Sequence, residues 1–238
     1  MNLYSALVQS CDVYFYTVGK RLGIERIAKW GRRFGLGAPT GLNLDKEMPG
    51  LVASSAWKLA RFQAPWQEGD TLSVAIGQGY NLTTPLQMVQ VAAIVANGGS
   101  IYEPQPVERV ESPAGEVLFQ SQPVLKGSLG ASPANLALIQ KALAGVVSEG
   151  TGKGAKLPQV EVAGKTGTAQ IVALEKEKKG SKATENHAWF VAYAPVSDPR
   201  VAVAVLIEHG GGGGAVAAPL ARRILAAAFP DHRVAQSK

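Results

Sequence analysis

Val162-Ala163-Gly164-Lys165-Thr166-Gly167-Thr168-Ala169-Gln170 sets a Lys-Thr-Gly triplet inside a strand-like run. A phosphate-binding loop made of the same residue types would need its lysine between a glycine-rich turn and the start of a helix. On a strand, alternate side chains share a face, so Lys165 opposes Thr166. Gly167 then lets a ligand backbone come close. Such an edge can hold an extended peptide, although a three-residue string taken alone marks a solvated strand lysine about as often as a site.

Working outward, residues 160–171, 187–194 and 200–209 are all strand-like, the last two joined by the turn Val196-Ser197-Asp198-Pro199. Three neighbouring strands predict an antiparallel sheet. Residues 174–186, rich in Lys and Glu, read as a solvated loop. After Gly210 to Gly214 a small-residue helix is predicted over 216–229, stopped by Pro230, with Leu220, Ile224 and Leu225 packing on the sheet.

Upstream, residues 3–35 read as helices broken by glycine. Asp12 caps a helix beginning at Val13, Gly23 ends it, and Ile24, Ala28, Gly31 and Phe34 mark one face of the next, which Gly35 stops. Residues 36–69 are mostly loop, with a short helix over 56–62. Thr84-Pro85-Leu86-Gln87 combines a cap, a first-turn proline and a capping-box partner, opening a helix that runs to Asn97. Residues 107–111 and 116–120 form a hairpin around Ser112-Pro113-Ala114-Gly115, and Ser132-Pro133 opens a helix reaching Ser148. The fold class is α/β in the α+β sense, an antiparallel sheet flanked by helices.

Composition agrees with one packed domain. Of 238 residues, 46% are apolar and 18% charged, which excludes a disordered chain. The net charge of +6 favours an anionic partner mildly. The basic residues are nevertheless scattered and lack the aromatic interleaving of a nucleic-acid groove, so no nucleic-acid partner is expected. The longest aliphatic run, Val201 to Ile207, is far too short for a membrane span, and Met1-Asn2-Leu3-Tyr4-Ser5 lacks the pattern of a secretory leader. A single cysteine, Cys11, excludes an internal disulfide and reads as a small buried filler. His187, His209 and His232 lack ligand spacing, so neither metal nor cofactor is expected.

A second signal, Ser10-Cys11-Asp12, sits at the junction of two helices, where a hydroxyl and a carboxylate can face a cleft. Alone it is no more than ordinary capping chemistry. In this order, and far upstream of Lys165-Thr166-Gly167, it resembles the penicillin-binding protein and serine β-lactamase superfamily, whose signature is Ser-x-x-Lys, then Ser-x-Asn or Ser-x-Asp, then Lys-Thr-Gly. The resemblance is closest to class B penicillin-binding proteins of the penicillin-binding protein 2 type. It also rests on Trp57-Lys58, Gly69-Asp70-Thr71, Gly77-Gln78-Gly79-Tyr80, Thr84-Pro85-Leu86-Gln87-Met88 and Thr168-Ala169-Gln170.

That resemblance implies a peptidoglycan D,D-transpeptidase of cell-wall elongation. It would attack the D-Ala-D-Ala end of a stem peptide, form an acyl-serine inhibited by β-lactams, and pass the acyl group to a neighbouring amine. It implies a proton-relaying Ser10, an Asp12 that lines the cleft, and a Lys165 that supplies positive potential. Thr166 and Thr168 would hold the substrate carboxylate through their hydroxyls, Gly167 would admit the substrate backbone, and the Thr168 amide would serve an oxyanion hole. Many relatives carry asparagine where Asp12 stands, and a carboxylate there would pair with a cation such as Lys165. The resemblance further implies a membrane anchor outside these residues, a location at the periplasmic face of the inner membrane, and elongation partners such as a SEDS glycosyltransferase. Its competitors are a D,D-carboxypeptidase or β-lactamase relative and a non-catalytic peptide-binding module; the motifs from Trp57 to Tyr80 favour the transpeptidase.

The sequence departs from the family at the nucleophile. Its only Ser-x-x-Lys string, Ser55-Ala56-Trp57-Lys58, follows Ser10-Cys11-Asp12 instead of preceding it, so it reads as a surface helical turn whose Trp57 packs inward. By that reading residues 1–238 are the C-terminal part of a transpeptidase domain, incomplete on its N-terminal side and inactive alone, with apolar surface left uncovered in a way that favours aggregation, swapping or a partner segment. Two other strings read as distractors. His209 with Gly210 to Gly214 resembles a lipase oxyanion loop, yet no Gly-x-Ser-x-Gly elbow is present, so it reads as a flexible connection. Gly150-Thr151-Gly152-Lys153-Gly154 lacks the hydroxyl residue that a nucleotide loop needs after its lysine.

Overall fold

The structure, a computed structural model, describes residues 1–42, 45–170 and 185–230. Most of the charged stretch predicted as a loop, the end of the first predicted strand at Ile171, and His232 lie outside the described residues. In chain order the elements are α1 (Leu3–Gln9), α2 (Asp12–Leu22), α3 (Ile24–Arg33), α4 (Ser55–Phe62), α5 (Glu68–Ala75) and α6 (Pro85–Ala96). Four short strands follow, β1 (Ser100–Tyr102), β2 (Arg109–Glu111), β3 (Val117–Gln120) and β4 (Leu125–Ser128), then α7 (Pro133–Ser148), β5 (Ala163–Ala169), β6 (His187–Ala194), β7 (Val201–Ile207) and α8 (Ala217–Ala228).

The main sheet has the order β5-β6-β7 and is antiparallel throughout, as the sequence predicts. Its two faces bury different sets of side chains. On one, Phe190, Ala192 of β6 and Val203, Val205 of β7 join Ala217, Ala218, Ala221 and Leu225 of α8 in the largest core cluster. The small residues of α8 let its backbone approach the sheet. On the other face, Ala163 and Tyr193 pack against Val95 of α6 and Ile139, Leu143 and Ala144 of α7. Leu220 and Leu225 contact the sheet core as predicted, but Ile224 is 49% exposed, because the helix turns it away from the stripe that Leu225 occupies.

The helix starts carry the expected chemistry, with one correction. Thr84 accepts a hydrogen bond from the Gln87 N–H, and Gln87 Oε1 accepts one from the Thr84 N–H, closing a capping box. Gln87 is buried, and its Nε2 also donates to the carbonyls of Ala38 and Pro49, so one side chain ties the long loop to α6. Asp12 is not a cap: Cys11 occupies that position, without a side-chain hydrogen bond, and Asp12 begins the first turn. There its negative charge still complements the helix dipole. The hairpin of β2 and β3 forms with its predicted turn. Neither α5 nor the pairing of β1 with β4 was legible: Gly69 in the first turn of α5 reads as a breaker, and β1 finds its partner only beyond the hairpin of β2 and β3.

Close helix contacts bring the chain ends of the site together. At Gly145 of α7 a Cβ would press on the Tyr4 ring and Val8 of α1, and at Gly150 it would collide with the Val8 carbonyl. Tyr4 donates to Glu149, and the Thr151 N–H donates to the Val8 carbonyl at 3.2 Å. Together these contacts dock the C-terminus of α1 beside the start of β5.

Candidate active site

Ser10 sits where α1 ends. Its N–H donates to the Leu7 carbonyl and the Cys11 N–H to the Ala6 carbonyl, the paired bonds of a Schellman turn. The turn demands a left-handed residue, and Ser10 has φ 53° and ψ 55°. Glycine would adopt that conformation at no steric cost, whereas a side chain there costs about 1 kcal/mol. The hydroxyl is kept at a position where the backbone prefers none, which points to a use for the hydroxyl.

Lys165 of β5 supplies that use. Its Nζ donates to Ser10 Oγ at 2.8 Å, across 155 residues of sequence, and to the Thr166 carbonyl at 3.0 Å. Burial pushes the Lys165 ammonium down to about 8, and the nearby Asp12 charge resists the fall. Asp12 itself is exposed and, among the described residues, makes no ion pair with Lys165, so the pairing predicted for it is a longer-range one.

Beyond Lys165 the strand is an edge, paired with β6 on one side only. The Thr166 carbonyl accepts from Lys165 and the Thr168 carbonyl accepts from Gln78 Nε2 at 2.8 Å, so both point away from β6. In an antiparallel strand the N–H and C=O of one residue point the same way. The Thr166 and Thr168 amides therefore face the open side of the sheet, where an extended ligand could add. Thr166 leaves the strand on the face opposite Lys165, yet Lys165 Nζ reaches round the open edge to within 3.5 Å of Thr166 Oγ1, which also lies 2.8 Å from Thr151 Oγ1; Thr168 Oγ1 accepts from the Gly213 N–H at 3.4 Å. Gly167 is packed over Trp189, where an added Cβ would come within 3.1 Å of that side chain.

Of the predicted site residues, Ser10, Lys165 and Thr166 are linked directly, Thr168 and Gly167 continue the same edge, and Asp12 acts on Lys165 through space. Thr151, Gly213 and Gln78 were missed as site residues. Nothing local marks Thr151. Gly213 was read as part of a flexible connection, and the structure corrects this: it is buried, and a Cβ there would collide with the carbonyls of Gly167 and Trp189.

Ser55-Ala56-Trp57-Lys58 forms the start of α4, capped by Ser54. The expectation of a surface turn fails at Lys58, which is buried and bonded to Asp70 Oδ2 at 2.5 Å, with its Nζ over the rings of Trp66 and Tyr80. Trp57 is partly buried and packs on Phe62 and Tyr80. The Asp70 hydrogen bond raises Lys58 above the ordinary lysine value. For Asp70, burial opposes ionisation, but the bonds from Lys58 and the Gln67 N–H outweigh it and hold the carboxyl below its ordinary value. A lysine held this firmly in its charged form is a poor general base.

The penicillin-binding protein transpeptidase domain profile matches residues 1–226. The chain is 36% identical over 234 residues to the peptidoglycan D,D-transpeptidase MrdA of Haemophilus influenzae, covering 94% of this chain and 36% of that protein. It thus spans about a third of that relative's length. Among solved structures, Pseudomonas aeruginosa PBP2 in complex with WCK 5153 superposes with a TM-score of 0.78 at 34% identity, over 95% of this chain and 49% of that one. The penicillin G acyl-enzyme complex of penicillin-binding protein A from M. tuberculosis gives 0.77 at 30% identity, over 96% and 48%. A Lys-Thr-Gly edge strand bonded to a serine at a helical junction, on a sheet shared with these proteins along nearly the whole chain, makes this sequence a member of the penicillin-binding protein transpeptidase domain family.

Proposed function

We propose that these residues form the C-terminal part of a peptidoglycan D,D-transpeptidase domain, the part that holds the donor stem peptide and moves protons around the acylated serine. The 2.8 Å contact of Lys165 Nζ with Ser10 Oγ carries this reading. With the ammonium donating to Ser10 Oγ, the serine's own proton is free to point into the cleft, so Ser10 can pass a proton between a catalytic base and a leaving amine. Lys165 sets positive potential where a peptide carboxylate would lie, beside the Thr166 and Thr168 hydroxyls. The outward Thr168 amide is one donor for the oxyanion, and Asp12 moderates the charge of the cleft.

In the transpeptidase as a whole, the nucleophile would come from a Ser-x-x-Lys motif preceding Ser10, a β-lactam would acylate it, and the acceptor would be the amine of a second stem peptide. The same reading places the domain at the periplasmic face of the inner membrane with elongation proteins, such as a SEDS glycosyltransferase, as partners. None of the helices among the described residues is long and apolar enough to cross a membrane. The competing readings are a water-accepting carboxypeptidase or β-lactamase relative and a non-catalytic binding module.

Incubation with a fluorescent penicillin followed by intact-mass analysis tests the proposal. The 238-residue chain is expected to remain unlabelled, and joining a family Ser-x-x-Lys segment upstream of Met1 is expected to restore a single covalent adduct on that segment's serine. An adduct on Ser55 would reverse the motif assignment, and no adduct in the joined protein would favour the binding module.

A further inference from the structure

Gln78 lies on the peptide-binding edge and occupies one of its bonding positions. Its Nε2 donates to the Thr168 carbonyl at 2.8 Å, and this carbonyl is one of the outward groups that an extended peptide adding to β5 would pair with. Its backbone is pinned, because the Gln78 N–H donates to the Ser73 carbonyl at 2.9 Å and Tyr80 is packed against Trp57, Phe62 and Trp66. Left-handed glycines flank it, Gly77 at φ 78° and Gly79 at φ 75°, and a Cβ on Gly77 would meet nothing within 4 Å. The side chain is partly exposed, so it can rotate toward solvent while its backbone stays in place.

We infer that the Gln78 carboxamide is an internal surrogate for a substrate N–H: it holds the Thr168 carbonyl when the edge is empty and gives it up when a peptide binds. This rests on the peptide-holding role proposed above for β5. The exchange replaces one neutral amide bond by another, so it costs little but sets a competition that every bound peptide must win. It also makes Gln78 a specificity residue, since only a ligand presenting an N–H opposite Thr168 recovers the bond it displaces.

The test is non-covalent binding of diacetyl-L-Lys-D-Ala-D-Ala to the 238-residue chain, followed by NMR. Removing the competing donor in Q78A, or in Q78M, which keeps the bulk, is expected to tighten binding about two- to tenfold, the range set by one exposed neutral hydrogen bond. In the wild-type chain the Gln78 side-chain NH2 resonances are expected to move to solvent-exposed values on saturation, a readout independent of how well a variant folds. Wild-type binding with unmoved Gln78 resonances, or with both variants binding equally or more weakly, overturns the surrogate role while leaving the peptide site intact. No binding by the wild-type chain or either variant would overturn the peptide site itself, and the surrogate with it.

Discussion

At Ser10 the backbone and the side chain have opposed preferences, and the opposition can be measured. The left-handed C-terminal turn of α1 favours glycine, so S10G is expected to be more stable than S10A by about 1 kcal/mol, although both lose the bond to Lys165. Chemical denaturation of the two variants checks this; equal stability would mean that the turn carries no strain. Lys165 offers a second measurement. Its folded value near 8 lies below the ordinary 10.5, so between those pH values the unfolded chain binds more protons and stability rises with pH. Relative to K165M, the wild-type chain should gain up to about 3 kcal/mol across that window and carry the cost of a buried charge below it. D12N removes the charge that supports the ammonium, so it should lower the Lys165 value further, as followed by NMR of its ε-methylene.

At the scale of elements, α8 separates what burial contributes from what hydropathy suggests. Leu225 is fully buried among Phe190, Val203 and Val205, whereas Ile224, one residue earlier, is half exposed. L225A is expected to cost about 2–5 kcal/mol, and I224A under about 1 kcal/mol, by thermal or denaturant unfolding. Equal costs would place the helix in a different rotation on the sheet. The loop from α4 to α5 is stiffened differently, by a pair between buried Lys58 and partly buried Asp70, with the Lys58 ammonium over the rings of Trp66 and Tyr80.

Across the molecule, the site is assembled from three distant parts of the chain: the end of α1, the loop after α5, and β5 with the glycines that precede α8. Gln78 joins the second part to β5, and Gly213 marks where the glycine run meets β5. G213A would set a methyl group against the carbonyls of Gly167 and Trp189, and is expected to destabilise the fold by about 1–3 kcal/mol and to shift the amide resonances of Gly167 and Thr168. G212A, at a position where a Cβ meets nothing within 4 Å, is the control. Unchanged Gly167 and Thr168 resonances in G213A would show that the glycine run does not support the edge strand.

Much of the element order was legible from residues alone, because capping chemistry and period are local. Thr84-Pro85 and Ser132-Pro133 start helices where their side chains satisfy backbone donors, and alternation along 187–194 matches β6 end to end. The motifs around Ser10 and Lys165 identified the family, and the fold brings that serine and lysine within 2.8 Å of each other. Other features were decided only by folding, because they depend on what stands opposite. Thr151, held by the Val8 carbonyl at the end of α1, meets Thr166 only in the packed fold. Lys58 is buried because Asp70 and the rings of Trp66 and Tyr80 stand against it, Gly213 is required because two carbonyls press on it, and Gln78 joins the candidate site when its loop reaches Thr168. Local sequence encodes dihedral preference and hydropathy; contacts between residues up to 155 positions apart arise from packing, which no single segment records.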